Sequence, residues 1–169
     1  MQLKSNSIRG EIPKFLAPDL CFDAFDLINI SNLYVGLRPI TGGRTVYVLV
    51  FKAPHYVFAR NVLFKEDLYP VSGYQSYRQY SEINQRGCSE KQFVGLIKDI
   101  TDNGYDWENR PILVFRNWRR FFPLGRWDVA DGFHRLAVLA ALGEKNIKVG
   151  TLRYKHNAVA RAKRFMFGV

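Results

Sequence analysis

Residues 126–152 read RWDVADGFHRLAVLAALGEKNIKVGTL, and the order of elements in this stretch indicates the fold class. Arg126 to Ala130 is a short apolar segment typical of a strand. His134 to Leu142 is rich in Ala and Leu and is followed by Gly143, which predicts a buried helix with a C-terminal glycine. Asn146 to Leu152 predicts the strand that comes next. This alternation of strand, helix and strand favours an α/β domain.

The turn between the first strand and the helix carries Asp131, Gly132, Phe133, His134 and Arg135. A glycine lets the chain turn sharply, and the first backbone N–H groups of a helix have no partner inside it. The helix dipole favours negative charge at that end, so a phosphate is a natural ligand, with His134 and Arg135 as side-chain donors. Asp131 could cap the helix, orient Arg135 or hold a divalent cation. An ordinary capping turn with a surface His-Arg pair would have the same residues.

The chain before this stretch predicts further elements. Ser89 to Gly104 has a capping box (Ser89 and Gln92) and helical spacing of its apolar residues, so we expect a helix. Pro111 to Arg116 predicts a strand. Between the two strands, the basic and aromatic residues 118–122 could stack on nucleic-acid bases or form an ordinary edge hairpin.

Residues 1–88 give weaker signals. Residues 1–45 are an irregular N-terminal extension in which Asp19 to Ile30 could form a short helix. Thr45 to Lys52 and Tyr56 to Phe64 are apolar runs that predict two strands. Between residues 74 and 80, tyrosines recur every three residues. A helical turn would place them on one face, either against the core or against a ligand. The candidate substrate-binding residues of that segment are Tyr74, Tyr77, Arg78 and Tyr80.

The length and composition indicate one globular domain spanning residues 1–169. The chain has 47% hydrophobic and 24% charged residues, no apolar stretch near the ~20 residues of a membrane span, and no N-terminal signal pattern. Its two cysteines suit neither a disulfide framework nor a zinc site, and we expect a cytoplasmic protein.

The net charge of +10 is carried entirely by residues 110–169, which hold 13 basic and 3 acidic side chains. Residues 1–109 hold 12 of each. Such a field attracts anions, which include nucleotide phosphates and nucleic acid. Residues 156–167 predict a short basic amphipathic helix that docks on the body of the protein, and we do not expect a membrane surface as a partner.

The run RPILVF…RWDVADGFHRLAVLAALGEKNIKV resembles the core of the ParB/sulfiredoxin superfamily over residues 89–152. The resemblance implies a single compact α/β domain with a small mixed sheet and flanking helices. Phe133 stands where sulfiredoxins have their reactive cysteine and where chromosome-partitioning ParB proteins have a glutamate. The Asp-Gly-x-His-Arg box is most similar to that of the free serine kinases of this fold. In those, His and Arg hold nucleotide phosphates, and an acidic residue elsewhere deprotonates the substrate hydroxyl.

Carried over, the resemblance implies that residues 131–135 bind the nucleotide, which would be ATP or ADP, with CTP as the alternative. Asp131, His134 and Arg135 would be catalytic, and Asp131 would reach Mg²⁺. We therefore expect a phosphotransferase that acts on a small hydroxylated substrate. No motif identifies the general base; Glu66, Asp67 and Glu82 are candidates, whereas His55 and His156 stand alone in the sequence.

Two other functions stay open at this stage. A ParB-like DNA-binding protein or nuclease with nucleotide hydrolysis would grip phosphates with basic residues near the hairpin. The candidates are Arg116, Arg119, Arg120 and Arg126. A nucleotide-sensing regulator without turnover is the third interpretation, and the oligomeric state is not predicted.

Overall fold

A computed structural model describes residues 20–37, 45–64, 88–116 and 127–154. Six strands and three helices occupy these ranges. The strands are β1 (Leu20–Asn29), β2 (Leu33–Leu37), β3 (Val46–Leu49), β4 (Leu113–Arg116), β5 (Trp127–Asp131) and β6 (Asn146–Tyr154). The helices are α1 (Pro54–Phe64), α2 (Glu90–Asn103) and α3 (Phe133–Ala141).

The strands form one mixed sheet in the order β1-β6-β4-β5-β2-β3. The pairs β1–β6, β4–β5 and β2–β3 are antiparallel, whereas β4–β6 and β2–β5 are parallel. The two parallel pairs join strands that are distant in sequence, as a crossover topology requires. The α/β class predicted from the sequence is confirmed.

The main core consists of buried side chains from the sheet and all three helices, and it includes Val114, Val149 and Leu136. Phe58 of α1 stacks on Phe93 of α2, with ring centroids 5.0 Å apart. Buried aliphatic and aromatic surface of this kind is the main favourable term in folding. The three helices therefore share one core with the sheet.

Helix α2 begins and ends where the sequence predicts. The Ser89 side chain accepts a hydrogen bond from the Gln92 N–H, and the Gln92 side chain accepts one from the Ser89 N–H. The helix ends at Gly104, which has φ +80°. The three strands predicted over residues 111–152 and the helix predicted after the turn at residue 132 are also present, with ends that differ from the predicted ones by at most two residues.

Two predicted elements are wrong. Tyr56 to Phe64 is helical, because Pro54 occupies the first helical position and the buried residues His55, Phe58 and Ala59 follow helical spacing. Asp19 to Ile30 was expected to be helical, but Leu20–Asn29 is a strand that pairs with β6 along its length. The strand predicted for Thr45 to Lys52 ends at Leu49, and a 3₁₀ turn follows.

Within the described ranges, no helix has the length and apolar content needed to cross a bilayer.

Candidate functional site

The turn at residues 131–135 lies where β5 ends and α3 begins. Gly132 is the N-cap of α3 and has φ +89°, in the left-handed region that favours glycine. A Cβ at this position would lie 3.1 Å from the Ile112 Cα, so the space also requires glycine. The first helical hydrogen bond runs from the Leu136 N–H to the Gly132 carbonyl, at 2.9 Å. The N–H groups of residues 133–135 therefore have no acceptor inside the helix.

Arg135 is held against the start of β4. Its Nη2 donates to the Pro111 carbonyl at 3.3 Å and to the Asp131 carboxylate at 3.2 Å. The Nε atom is buried and has no hydrogen-bond acceptor, and Nη1 has none among the described residues. A buried donor without an acceptor is costly and therefore needs an explanation. The Nε and Nη1 donors of this guanidinium therefore have no acceptor in the part of the chain that the structure describes.

Asp131 orients Arg135 and does not cap the helix. Its carboxylate pairs with the guanidinium four residues later, and the N-cap position belongs to Gly132, whose glycine backbone offers no side-chain cap. Of the three roles that the sequence left open for Asp131, the structure shows the orienting one. The two side chains are 37% and 21% exposed, so the ion pair is partly shielded from water.

His134 lies between the helices. Its ring is in edge contact with His55 of α1, with centroids 4.8 Å apart, and with Phe93 of α2, at 4.7 Å. Burial, with the Arg135 charge next, lowers the pKa of His134 to about 4, and burial lowers that of His55 to about 3. Both imidazoles are therefore neutral at pH 7. A neutral His134 adds no positive charge to the candidate site.

A cleft of about 400 Å³ opens beside Arg135, between the C-terminal end of α2 and the segment 104–110. Leu96 and Ile100 form an apolar wall. Tyr105 and Arg110 contribute polar groups from the segment. The Tyr105 hydroxyl accepts a hydrogen bond from the Ile112 N–H at 2.6 Å, so the segment is tied to the start of β4. This cleft is the space into which a ligand at Arg135 could extend.

The structure brings together part of the predicted site. Asp131 and Arg135 form an ion pair, whereas His134 packs against His55 and Phe93. Arg116 lies over the Trp127 ring, 4.8 Å from its centroid. The other predicted residues lie outside the described ranges: Glu66, Asp67, Tyr74, Tyr77, Arg78, Tyr80, Glu82, Arg119, Arg120, Arg126 and His156.

Sequence reasoning missed two neighbours of the site. His55, which stands alone in the sequence, contacts His134, and Tyr105 was not singled out. His55 is distant in sequence from His134, which it contacts, and Tyr105 is distant in sequence from Arg135, with which it lines the cleft. The only local signal for Tyr105 was its place immediately after the helix-ending Gly104.

A scan against protein-family models gave no match, and neither the curated proteins nor the solved structures contain a match to this chain.

Proposed function

We propose that the chain binds the phosphates of a nucleotide at residues 131–135. The observation that carries the proposal is Arg135, whose buried Nε has no acceptor within the described ranges while its Nη2 is fixed by Asp131 and Pro111. Residues 133–135 form the first turn of α3, and backbone N–H groups at the start of a helix have no acceptor inside the helix itself. Guanidinium and helix N-terminal N–H groups are both donors that suit phosphate oxygens.

We further propose that the bound nucleotide, ATP or ADP, donates a phosphoryl group to a small hydroxylated substrate. Phosphoryl transfer depends mainly on positioning and on electrostatic stabilisation of the phosphoryl oxygens. In this scheme Arg135 and the N–H groups stabilise those oxygens, while the neutral His134 fixes the first turn of α3 by packing. Asp131 holds the guanidinium in place. The predicted acceptor side, at Tyr74, Tyr77 and Tyr80, remains a prediction.

Mg²⁺ would accompany the nucleotide in this proposal. The described residues contain no group of three or more metal-ligating side chains. Mg²⁺ commonly binds through one or two carboxylates together with substrate phosphates, so a dedicated cage is not required. Asp131 provides the carboxylate at the turn. Its Oδ2 accepts the hydrogen bond from Arg135. Mg²⁺ would supply charge neutralisation on the phosphates.

The order of elements supports a ParB/sulfiredoxin type of fold as part of the same proposal. Over residues 89–152, a capped helix precedes two strands, and a glycine turn then leads into a helix and a closing strand. This is the order that the resemblance implies. Fold type alone does not specify an activity, so the proposal of phosphotransfer depends on the groups at Arg135.

Calorimetric titration of ATP, ADP and CTP with Mg²⁺ tests the proposal. We expect saturable binding by the wild type and a loss of at least tenfold in affinity in Arg135→Ala, because charge-assisted hydrogen bonds are about twice as strong as neutral ones. Arg153→Ala is the matched control, since Arg153 also pairs with one carboxylate, Asp23, but is 60% exposed on β6. Equal affinities in the two variants would contradict the proposal.

The positive charge of residues 110–169 favours one alternative, a nucleic-acid-binding protein or nuclease. Binding to DNA releases counterions, so its affinity falls steeply as salt rises. Strongly salt-dependent DNA binding without any binding of single nucleotides would favour this alternative over phosphotransfer.

A further inference from the structure

One residue that lines the cleft beside Arg135 carries a hydrogen-bond donor that the function proposed above does not use. Tyr105 lines the cleft together with Arg135. Its hydroxyl oxygen accepts the Ile112 N–H at 2.6 Å. A phenol offers one donor and also accepts, so this bond leaves the O–H proton unused. No described group accepts that proton.

Burial keeps the Tyr105 phenol protonated. Burial raises the pKa of Tyr105 to about 12, with smaller contributions from the neighbouring Asp106 and Asp131 carboxylates, while the Ile112 hydrogen bond and Arg135 act in the opposite direction. The hydroxyl is thus a neutral donor throughout the ordinary pH range. Arg135 and Asp131 are close enough to influence its ionisation, so the phenol belongs to the same electrostatic neighbourhood as the turn.

The acids of the cleft are already hydrogen-bonded. Asp99 accepts from the Asn103 side chain at 2.8 Å, and Asp106 accepts from both the side chain and the backbone N–H of Asn109. By contrast, Arg135 and Tyr105 keep donors without acceptors. The guanidinium of Arg135 and the hydroxyl of Tyr105 can therefore both donate to a ligand oxygen that only accepts.

We infer that the Tyr105 hydroxyl donates a hydrogen bond to a phosphate oxygen of the ligand that Arg135 binds. The inference rests on the proposed function and adds a neutral contact residue to it. A neutral donor beside a guanidinium strengthens binding of an oxyanion without adding charge. The segment 104–110 then becomes one wall of the binding site and not only a connection between α2 and β4.

Tyr105 also has a structural role that a simple deletion would disturb. Its oxygen holds the Ile112 N–H, and the adjacent Pro111 carbonyl holds Arg135. Tyr105→Phe removes both the donor and the acceptor, so a loss of affinity in that variant could arise through Arg135. The test therefore needs a second variant that keeps the acceptor.

The experiment measures ATP–Mg²⁺ affinity by calorimetry between pH 6.5 and pH 9. We expect Tyr105→Phe to bind about tenfold more weakly than the wild type, as the loss of one hydrogen bond to an anion predicts. In the second variant, site-specific incorporation replaces Tyr105 with trifluorotyrosine, whose phenol is far more acidic. Its phenolate still accepts from Ile112 but no longer donates. Affinity should therefore fall as the fluorinated phenol ionises, at a pH where the wild type is unchanged.

Tyr56 provides the matched control. Its hydroxyl also accepts a hydrogen bond, from Arg60 at 3.5 Å, and it does not line the cleft. The same two replacements at Tyr56 should leave ATP affinity and its pH dependence unchanged. If wild-type binding depends on Arg135 but the fluorinated variant at Tyr105 shows no added pH dependence, the inference is wrong and the proposed function stands. If the wild type binds no nucleotide, both fail.

Discussion

At the level of single residues, Gly132 determines the geometry of the candidate site. Its φ of +89° and the nearby Ile112 backbone place two separate demands on this position. The left-handed conformation disfavours any residue with a Cβ. The close approach of Ile112 disfavours added volume. Together they fix the direction in which β5 leads into α3, and therefore the position of Arg135.

Gly132→Ala and Gly143→Ala separate these two demands. Both glycines have φ +89°, but a Cβ at Gly143 would meet nothing within 4 Å. We expect Gly143→Ala to lower the free energy of unfolding by about 1 kcal/mol, from backbone strain alone. Gly132→Ala should cost about 1–3 kcal/mol more, because the Cβ crowds Ile112. Guanidinium denaturation at pH 7.5 measures both, and equal losses would contradict the geometry of the turn.

At the scale of elements, the contact between α1 and α3 contains the His55–His134 pair. Both pKa values in the folded protein, about 3 and about 4, lie below the usual value of 6.5 that unfolding restores. The unfolded chain therefore binds more protons than the folded protein between pH 6.5 and about 4. The free energy of unfolding should fall across that interval as pH falls, by up to about 1.4 kcal/mol per pH unit for each histidine.

His55→Phe tests this linkage. The variant keeps an aromatic ring beside Phe133 and His134 but removes one titrating group. We compare the slope of the unfolding free energy against pH between pH 6 and pH 5, before most carboxylates are protonated. The slope of the variant should be smaller than that of the wild type by the contribution of about one bound proton. Chemical denaturation at half-unit pH steps measures the slope. Identical slopes would mean that His55 is charged in the folded protein or is not buried.

Local signals explain which elements the sequence predicted. The capping box at Ser89 and the stop at Gly104 lie within the helix that they delimit, so helix α2 was found with its ends. Tyr56 to Phe64 was mistaken for a strand because a short apolar run fits both the helical and the strand periodicity. Strand β1 owes its conformation to pairing with β6, more than a hundred residues away, and no local pattern shows that partner.

In the candidate site too, contacts between residues close in sequence were predictable, whereas contacts between distant elements were not. Asp131 and Arg135 are four residues apart, so their pairing across one helical turn could be expected from the sequence. The contacts of His55 with His134 and of Tyr105 with Ile112 depend on how α1, α2 and β4 are arranged. The chemistry of the turn was therefore predictable, and its surroundings were not.

At the level of the whole molecule, net charge and packing contribute to ligand binding in different ways. The excess of positive charge in residues 110–169 raises the concentration of any anion near the protein but does not select one. Selection requires fixed donors. Arg135, the N–H groups of the α3 N-terminus and the neutral phenol of Tyr105 are donors that the core holds in place. The central claim is that these donors bind phosphate.

The most direct test is a ¹H–¹⁵N NMR titration of the isotopically labelled protein with ATP and Mg²⁺ at constant ionic strength. The account predicts the largest shifts at the backbone amides of residues 133–135 and at the Arg135 Nε–H, with saturation at one equivalent per chain. The backbone amide of Lys148 and the Arg153 Nε–H, both on β6, serve as internal references, and their signals should remain in place. Shifts spread over exposed basic side chains without saturation, or a stationary Arg135 Nε–H, would contradict the claim.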